Sequence, residues 1–356
     1  MTNKNSTYKR LGDYIREVDV RNSKLEVNLS QGICNMKYFQ NPRQVSSTPH
    51  LDKIVRKGQF AYNRATTRNG NKLSIAYREG EDCTVSSAYC VFYILDENQL
   101  NPYYLWLWFK RPDFDRYAIF KSHGSAHEFF EFETLCDTYI PVPSIEEQRK
   151  IVDHYLAIET RISNNKQTIA KLEEAAQALY RKMFVDDVDV ENLPDGWRMG
   201  IVGDLFELQR GFDLPSQKRN IGKYPICAST GISQFHDEYK VKAPGVVTGR
   251  SGSIGEVFYI NEDFWPLNTT LWVKDFKESS SYFVFYKLKE LDLAKTIGGF
   301  AAVPTLNRND VHAMESIVPS FKAMEIFQEK VSAIHSFCDN CKKENEKLTE
   351  MLSLMA

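Results

Sequence analysis

Three observations predict an α+β protein built from two tandem globular domains of mixed sheet and short helices, each followed by a long helix. They are an internal repeat, two heptad seams in one register, and short strand-like runs bounded by Gly and Pro. The 356 residues leave room for two or three domains with cores of their own. At 42% apolar and 26% charged, the composition is that of a folded globular chain. The longest apolar runs, Ala88 to Leu95 and Tyr103 to Phe109, fall far short of the roughly 18 residues that span a bilayer. Met1 to Arg10 is polar and offers no apolar stretch of a secretory signal, which points to the cytoplasm. Seven cysteines, odd in number and scattered, then read as reduced thiols.

The repeat emerges when the two halves are overlaid. Leu11-Gly12-Asp13-Tyr14 is answered by Val202-Gly203-Asp204-Leu205, Tyr104-Leu105-Trp106 by Tyr282-Phe283-Val284, and Ile140-Pro141-Val142-Pro143-Ser144 by Ile317-Val318-Pro319-Ser320. Order is kept throughout, with insertions between the shared blocks as surface loops allow.

A long helix follows each Pro-Ser. In the first, Ile151, Tyr155, Ile158, Ile162, Asn165, Ile169, Leu172, Ala176, Leu179 and Met183 are spaced alternately by four and three, a heptad seam. A shift of 176 residues gives the second seam: Phe327, Val331, Ile334, Cys338, Cys341, Asn345, Leu348, Leu352 and Met355. Ser144 and Ser320 stand at the N-cap positions, and Glu147 completes a capping box that Ala323 does not. Two seams in one chain bury each other as a coiled coil, with antiparallel pairing preferred. That pairing places the globular parts at opposite ends of a rod of order 60 Å, about an approximate two-fold axis. Asn165 and Asn345 either fix the register or are imperfect seam positions.

Gly245 to Val247, Glu256 to Ile260 and Thr270 to Val273 read as short strands. Tyr103 to Lys110 and Tyr282 to Lys289 read as helices. The expected divisions are a first globular domain over 1–143, a spacer helix over 144–184, an acidic linker over 185–198, a second globular domain over 199–319 and a second spacer helix over 320–356. The linker carries Asp186, Asp187, Asp189 and Glu191 and closes with Leu193-Pro194-Asp195-Gly196-Trp197.

A net charge of −2 argues against binding a polyanion through bulk charge, so local charge must decide. Lys53, Arg56, Lys57, Arg64, Arg68, Lys72 and Arg78 fall in one stretch without an acidic residue. Gly249-Arg250-Ser251-Gly252-Ser253-Ile254-Gly255 lacks the Lys-Ser/Thr pair of a nucleoside-triphosphate loop. It offers instead an exposed Arg, hydroxyls, and glycines that let backbone amides approach a phosphate. The counterpart in the first copy is Arg64-Ala65-Thr66-Thr67-Arg68-Asn69-Gly70-Asn71-Lys72. Arg, Asn, Lys and hydroxyl side chains on loops suit base edges and phosphates alike, whereas the plainer reading is a solvated hairpin.

Other motifs have plainer readings. Asn101-Pro102-Tyr103-Tyr104 has one Pro too few for the Asn-Pro-Pro-Tyr motif of amino-methyltransferases. Asn101 reads as an N-cap with Pro102 at the first helical position, and Ser281 as the equivalent cap in the second copy. Cys338 and Cys341 form a Cys-x-x-Cys, but both lie on the heptad seam and read as packing rather than a metal or redox pair. His123, His127 and Glu128 crowd together in a Gly-Ser-rich loop without helical metal-site spacing.

Taken together, several blocks in order resemble the specificity subunits of type I restriction-modification systems. These are the Gly-Asp opening, Tyr224-Pro225-Ile226 followed by Ser229-Thr230-Gly231, the 245–255 loop, the helix start Ile140-Pro141-Val142-Pro143-Ser144-Ile145-Glu146-Glu147-Gln148-Arg149-Lys150-Ile151-Val152, and the Leu193-to-Trp197 linker. The resemblance covers nearly the whole chain. It implies two target-recognition domains, each reading half of a bipartite site in double-stranded DNA, separated by the two antiparallel helices. It implies as partners two adenine-N6 methyltransferase (modification) subunits using S-adenosylmethionine and, in the full complex, two ATP-dependent restriction subunits. It assigns this chain no catalysis, cofactor, metal or membrane contact. Two departures stand out. The first copy lacks the Arg-Ser-Gly-Ser-Ile-Gly loop, and the second helix start, Phe321-Lys322-Ala323-Met324-Glu325, lacks the Glu-Glu-Gln-Arg run.

Carried onto these loops, the resemblance gives Arg210, Lys218, Ser229, Thr230, Arg250, Ser251 and Ser253 as DNA contacts of the second copy. Arg64, Thr67, Arg68, Asn69 and Lys72 are those of the first. The competing classes are a coiled-coil scaffold without DNA specificity and a methyltransferase with unrecognised motifs.

Overall fold

The computed structural model describes residues 8–42, 44, 46–66, 72–122, 129–293 and 305–355. The chain divides into two compact units, one of residues 1–163 and 345–356, the other of residues 164–344. Each long helix therefore gives residues to both units.

A four-stranded antiparallel sheet organises each unit. In the first, the order across the sheet is Ile15–Val18, Tyr89–Ile94, Phe60–Asn63, Ile75–Tyr77. In the second it is Glu207–Arg210, Thr270–Asp275, Gly245–Gly249, Val257–Ile260. Strand order and direction are the same, so the repeat seen in sequence is a repeat of topology. Tyr89–Ile94 shows why these segments pair: it is all aromatic, β-branched or Cys, and Cys90, Val91, Phe92 and Ile94 are buried. The strands 245–249 and 270–275 run beyond the shorter ones expected, because their last residues pair too.

Helix Pro102–Phe109 begins as expected, with Asn101 Oδ1 accepting from the Tyr104 amide at 3.1 Å. Its counterpart, Ser281–Glu290, corrects the expectation for Ser281. The cap position is Ser280, whose hydroxyl donates instead to the Met324 carbonyl. Ser281 lies inside the helix, 2.8 Å from the Tyr259 hydroxyl. Helix Pro112–Ser122, which the periodicity does not announce, follows in the first unit.

The core of the first unit is aromatic. Phe60 stacks on Phe92 at 5.1 Å and Phe109 meets Phe114 at 4.8 Å, between the sheet and the helices. In the second unit Tyr180 and Phe184 from the end of the first long helix pack with Phe283 and Phe327. Phe184 also stacks on Trp197, where the acidic linker ends.

The long helices are Ile145–Arg181, prolonged by a π-helical turn at Lys182–Asp186, and Phe321–Met355. The capping box is present: the Glu147 amide donates to Ser144 Oγ and the Ser144 amide to the Glu147 carboxylate, both at 3.3 Å. At the second helix, Ser320 Oγ accepts from the Ala323 amide at 3.4 Å.

Pairing within each unit is antiparallel. In the second unit Asn165 Nδ2 donates to Glu344 at 2.8 Å, Lys342 pairs with Glu173 at 3.3 Å, and Tyr180 reaches Phe327, so one helix ascends as the other descends. In the first unit Leu352 packs against the core that holds Val152, Tyr155 and Leu156. The seam departs from expectation at its first turn, where Ile151 is exposed and Val152 buried. There Tyr155 meets Trp106, ring centroids 6.4 Å apart, and Val152 packs into the same core. Cys338 and Cys341 are both buried on the seam, and burial pushes the Cys338 thiol up.

Candidate nucleic-acid interface

The site is built at one end of each four-stranded sheet. In the second unit Arg210 ends one strand, Thr270 opens the next and Gly249 ends the third; Arg210 lies opposite Leu271 and Gly249 opposite Thr270. Arg250 leaves the sheet at that end. In the first unit Asn63 lies opposite Tyr89, and Arg64 leaves at the matching place. An arginine directly after the third strand across the sheet is thus common to both copies.

The 250–256 connection is tightly folded. The Arg250 and Ser251 amides both donate to the Thr269 carbonyl, at 2.8 and 3.2 Å, and the Arg250 carbonyl accepts from the Leu306 amide at 2.8 Å. The Arg250 and Ser251 amides, which the sequence reading offers to a phosphate, are therefore committed within the protein. Arg250 is half-buried rather than exposed, because its backbone is held on both sides by 269 and 305–306. Ser251 and Ser253 are half-buried as well.

Glycine is required at two points of this loop. A Cβ on Gly249 would lie 1.7 Å from the Ser253 carbonyl oxygen, so the loop closes against bare backbone. Gly252 holds φ at +83°, and a Cβ there would come to 3.4 Å from Ser229 Oγ. Ser229 and exposed Thr230, in the turn between Tyr224–Ala228 and Gly231–His236, are therefore brought to the Arg250 loop. Arg210 is exposed at the same end, 4.0 Å from Asp213. Lys218 ends the separate turn Ser216–Lys218 and is exposed; no hydrogen bond or ion pair among the described residues links it to the Arg250 loop.

In the first unit Arg64 is half-buried, donating to the Ala88 carbonyl at 3.2 Å and standing 3.5 Å from Glu131. Lys72 is exposed. Thr67, Arg68 and Asn69 lie outside the described residues, as do His123, His127 and Glu128. Among the described residues, Lys72, Lys218 and Arg250 have no carboxylate within ion-pair distance.

The acid-free run from Lys53 to Arg78 is less basic in space than in sequence. Lys53 is buried 3.6 Å from Asp19, Arg56 pairs with Asp82 at 3.0 Å, and Arg78 is buried, donating to Gln31 and to the Glu81 carbonyl, both at 2.6 Å. Asp19, Asp82, Gln31 and the Glu81 carbonyl engage three of its cations, while Lys57 and, at the 64–72 end, Lys72 are exposed.

Sequence reasoning missed the groups that hold the two flanks of that end. Thr66 Oγ1 lies 2.9 Å from Ser122 Oγ, and the Leu73 amide donates to Asp115 Oδ1 at 3.0 Å; all four residues are buried. Asp115 also receives Lys37 Nζ at 2.6 Å, which donates to the Phe109 carbonyl at 2.6 Å as well. Burial pulls the Lys37 ammonium down, with Asp115 opposing it. The available signal was two polar residues, Asp115 and Ser122, on the helix face that also carries apolar Ala118.

Residues 35–174 and 194–350 match the model of the type I restriction modification DNA specificity domain. The chain belongs to this family. The two matched segments fall one on each copy of the specificity-domain repeat. Among curated relatives, the chain is 28% identical over 127 residues to the type I restriction enzyme MjaIX specificity subunit of Methanocaldococcus jannaschii, covering 32% of this chain and 29% of that protein. It is 20% identical over 281 residues to the putative MjaX specificity subunit of the same organism, covering 71% and 66%. The chain thus matches less than two thirds of the length of either relative. Both are named specificity subunits, not modification or restriction subunits. In fold it is similar to the S subunit of a type I restriction-modification system from M. genitalium, at TM-score 0.63 and 16% identity over 100% of this chain and 96% of that one. A chain from a type I system solved to describe complex assembly and conformational transition gives TM-score 0.53 at 15% identity, over 99% and 97%. Among the described residues, no helix of this specificity-domain protein is long and apolar enough to cross a membrane.

Proposed function

We propose that this chain is the non-catalytic, DNA-reading subunit of a cytoplasmic type I restriction-modification complex, and that each sheet-based unit reads one half of a bipartite site in double-stranded DNA. Arg250, Ser251, Ser253, Ser229, Thr230 and Arg210, with Lys218 on the neighbouring turn, contact one half; Arg64 and Lys72, with Thr67, Arg68 and Asn69, contact the other. Two modification subunits bring S-adenosylmethionine and methylate adenine N6 in the chosen site; where the complex also restricts, two restriction subunits bring ATP-dependent cleavage.

The observation that carries this reading is the duplicated sheet with an arginine at the same exit in both copies. A family model of DNA specificity spanning both copies supports it. Duplicated readers in one chain suit a target of two separated half-sites, because protein geometry then sets the distance between them. Arginine pairs with guanine edges and hydroxyls with several bases, so loops of this composition carry sequence readout and phosphate contact together.

Mapping N6-methyladenine across the source genome, with and without the gene, tests the reading. Loss of one split motif with two short halves is the expected result. An unchanged methylome while the modification subunit is expressed would overturn it in favour of a scaffold. Binding of S-adenosylmethionine by the isolated chain would favour an enzyme.

A further inference from the structure

We propose that Asp115, charge-balanced by buried Lys37, is a positioning residue for Lys72 in the first unit, with Ser122 as a second anchor on the same helix for the flank that carries Arg64. The inference rests on the reading of Arg64 and Lys72 as DNA contacts and adds to it the groups that hold them in place.

The hairpin Phe60–Asn63 and Ile75–Tyr77 carries the basic stretch, and helix Pro112–Ser122 ties both of its flanks. On the ascending side, Thr66 lies two residues past Arg64 and its hydroxyl meets Ser122 Oγ at 2.9 Å; Ser122 Oγ in turn donates to the Ile119 carbonyl. On the descending side, Leu73 directly follows Lys72, and its amide donates to Asp115 Oδ1 at 3.0 Å. Asp115 and Ser122 are two helical turns apart, on the order of 10 Å, a span suited to the two legs of a hairpin loop.

The chemistry of the Asp115 anchor exceeds what packing needs. A buried carboxylate is costly unless paired and hydrogen-bonded. Here the pairing comes from Lys37, at the hairpin turn between Gly32–Ile33 and Phe39–Gln40, where it sits at φ +66°. The Trp106 indole donates to the Lys37 carbonyl at 3.2 Å, and Lys37 Nζ donates to the Phe109 carbonyl. Lys37 Nζ thus bridges the Phe109 carbonyl and Asp115 Oδ1, the same oxygen that accepts the amide next to Lys72. A hydrophobic trio would fill the same volume without fixing that amide, whereas the carboxylate fixes both its height and its direction.

Two paired replacements separate positioning from stability, each measured in the complex with the modification subunits. Lys37→Met with Asp115→Asn removes the ion pair but leaves an oxygen for the Leu73 amide. Lys37→Met with Asp115→Leu removes both. The Asn pair is expected to keep the parental split motif, and the Leu pair to lose methylation there on the order of tenfold, the scale of one lost base contact. The loss should take the form of relaxed bases in one half only. Equal methylation by the two pairs, whether retained or lost, would overturn the inference.

Should the Leu pair fail a thermal-unfolding check, Ser122→Ala with Thr66→Val removes the second anchor with little change in volume. One-half relaxation is expected, and an unchanged motif would overturn the inference. Arg64→Ala and Lys72→Ala serve as the control. If they too leave both halves intact, the DNA-reading assignment itself fails and the inference falls with it, a result distinct from anchors that fail while the control changes the motif.

Discussion

Gln148 Oε1 accepts a hydrogen bond from the Asn101 amide at 2.8 Å, joining the first turn of the long helix to the cap of the short helix Pro102–Phe109. Its Nε2 donates to the Gln99 and Pro143 carbonyls, both at 2.9 Å, so a fully buried amide closes three backbone groups. In the second unit Gln328, one helical turn further along by the repeat, accepts from the Tyr282 amide at 3.0 Å. The second helix start has lost the Glu-Glu-Gln-Arg run, yet the joint is remade by another glutamine.

Gln148→Ala is expected to cost about 1–3 kcal/mol, the penalty for leaving buried backbone groups unpaired. Urea denaturation should show a lower midpoint at unchanged slope. Glu146→Ala, away from this joint, should stay within about 0.5 kcal/mol of the parent.

Lys37→Met alone strands Asp115 as a buried, unpaired carboxylate and is expected to destabilise by about 3–5 kcal/mol. Adding Asp115→Asn should recover most of that loss. Thermal unfolding of the single and double variants checks the order.

Arg250→Ala is expected to relax or weaken one half of the methylated motif and leave the other intact. Losing a bidentate base contact is worth about 1–3 kcal/mol of discrimination, and losing a phosphate contact would instead lower the salt slope. Methylome mapping at two salt conditions of a reconstituted complex separates these. A two-residue change in long-helix length, by contrast, should alter the spacer and neither half.

Acid should weaken the second unit. Burial, reinforced by Arg308, lowers the pKa of His312 below its ordinary 6.5, and His312 Nε2 accepts the Leu208 amide at 2.8 Å, a role open only to the neutral ring. Burial likewise lowers His335, which lies against Tyr282 at 4.5 Å. With both depressed, the unfolded chain binds protons first as pH drops past about 6.5. Their stabilising effect is complete above that pH and is lost as pH falls through the lower folded values. Unfolding temperature should be flat from pH 8 to 7 and fall toward pH 5, with a shallower fall in His312→Gln.

The parts legible in the sequence are those whose causes are local. Heptad spacing exposed both long helices, because side chains three and four apart share a face. Ser144 with Glu147, and Asn101 before Pro102, announced their caps within three residues. What stayed hidden depends on distant chain. Lys53 and Arg78 looked like surface charge until Asp19 and Gln31 came to meet them. The Arg250 and Ser251 amides seemed available to a phosphate, but Thr269 takes them from across the sheet. Lys37 and Asp115 stand 78 residues apart and nothing nearby marks either as half of a pair.

The close approach between the Gly249 position and the Ser253 carbonyl also bears on which positions of the loop tolerate change. With no space for even a methyl group at 249, that codon is closed to drift, and the curve of the loop is inherited whole. The side chains at 250, 251 and 253 sit on a backbone held by the Thr269 carbonyl, the Leu306 amide and the close approach at Gly249. A combinatorial library that randomises those three codons and spares Gly249 and Gly252 is expected to change the chemistry the loop presents while keeping its curve.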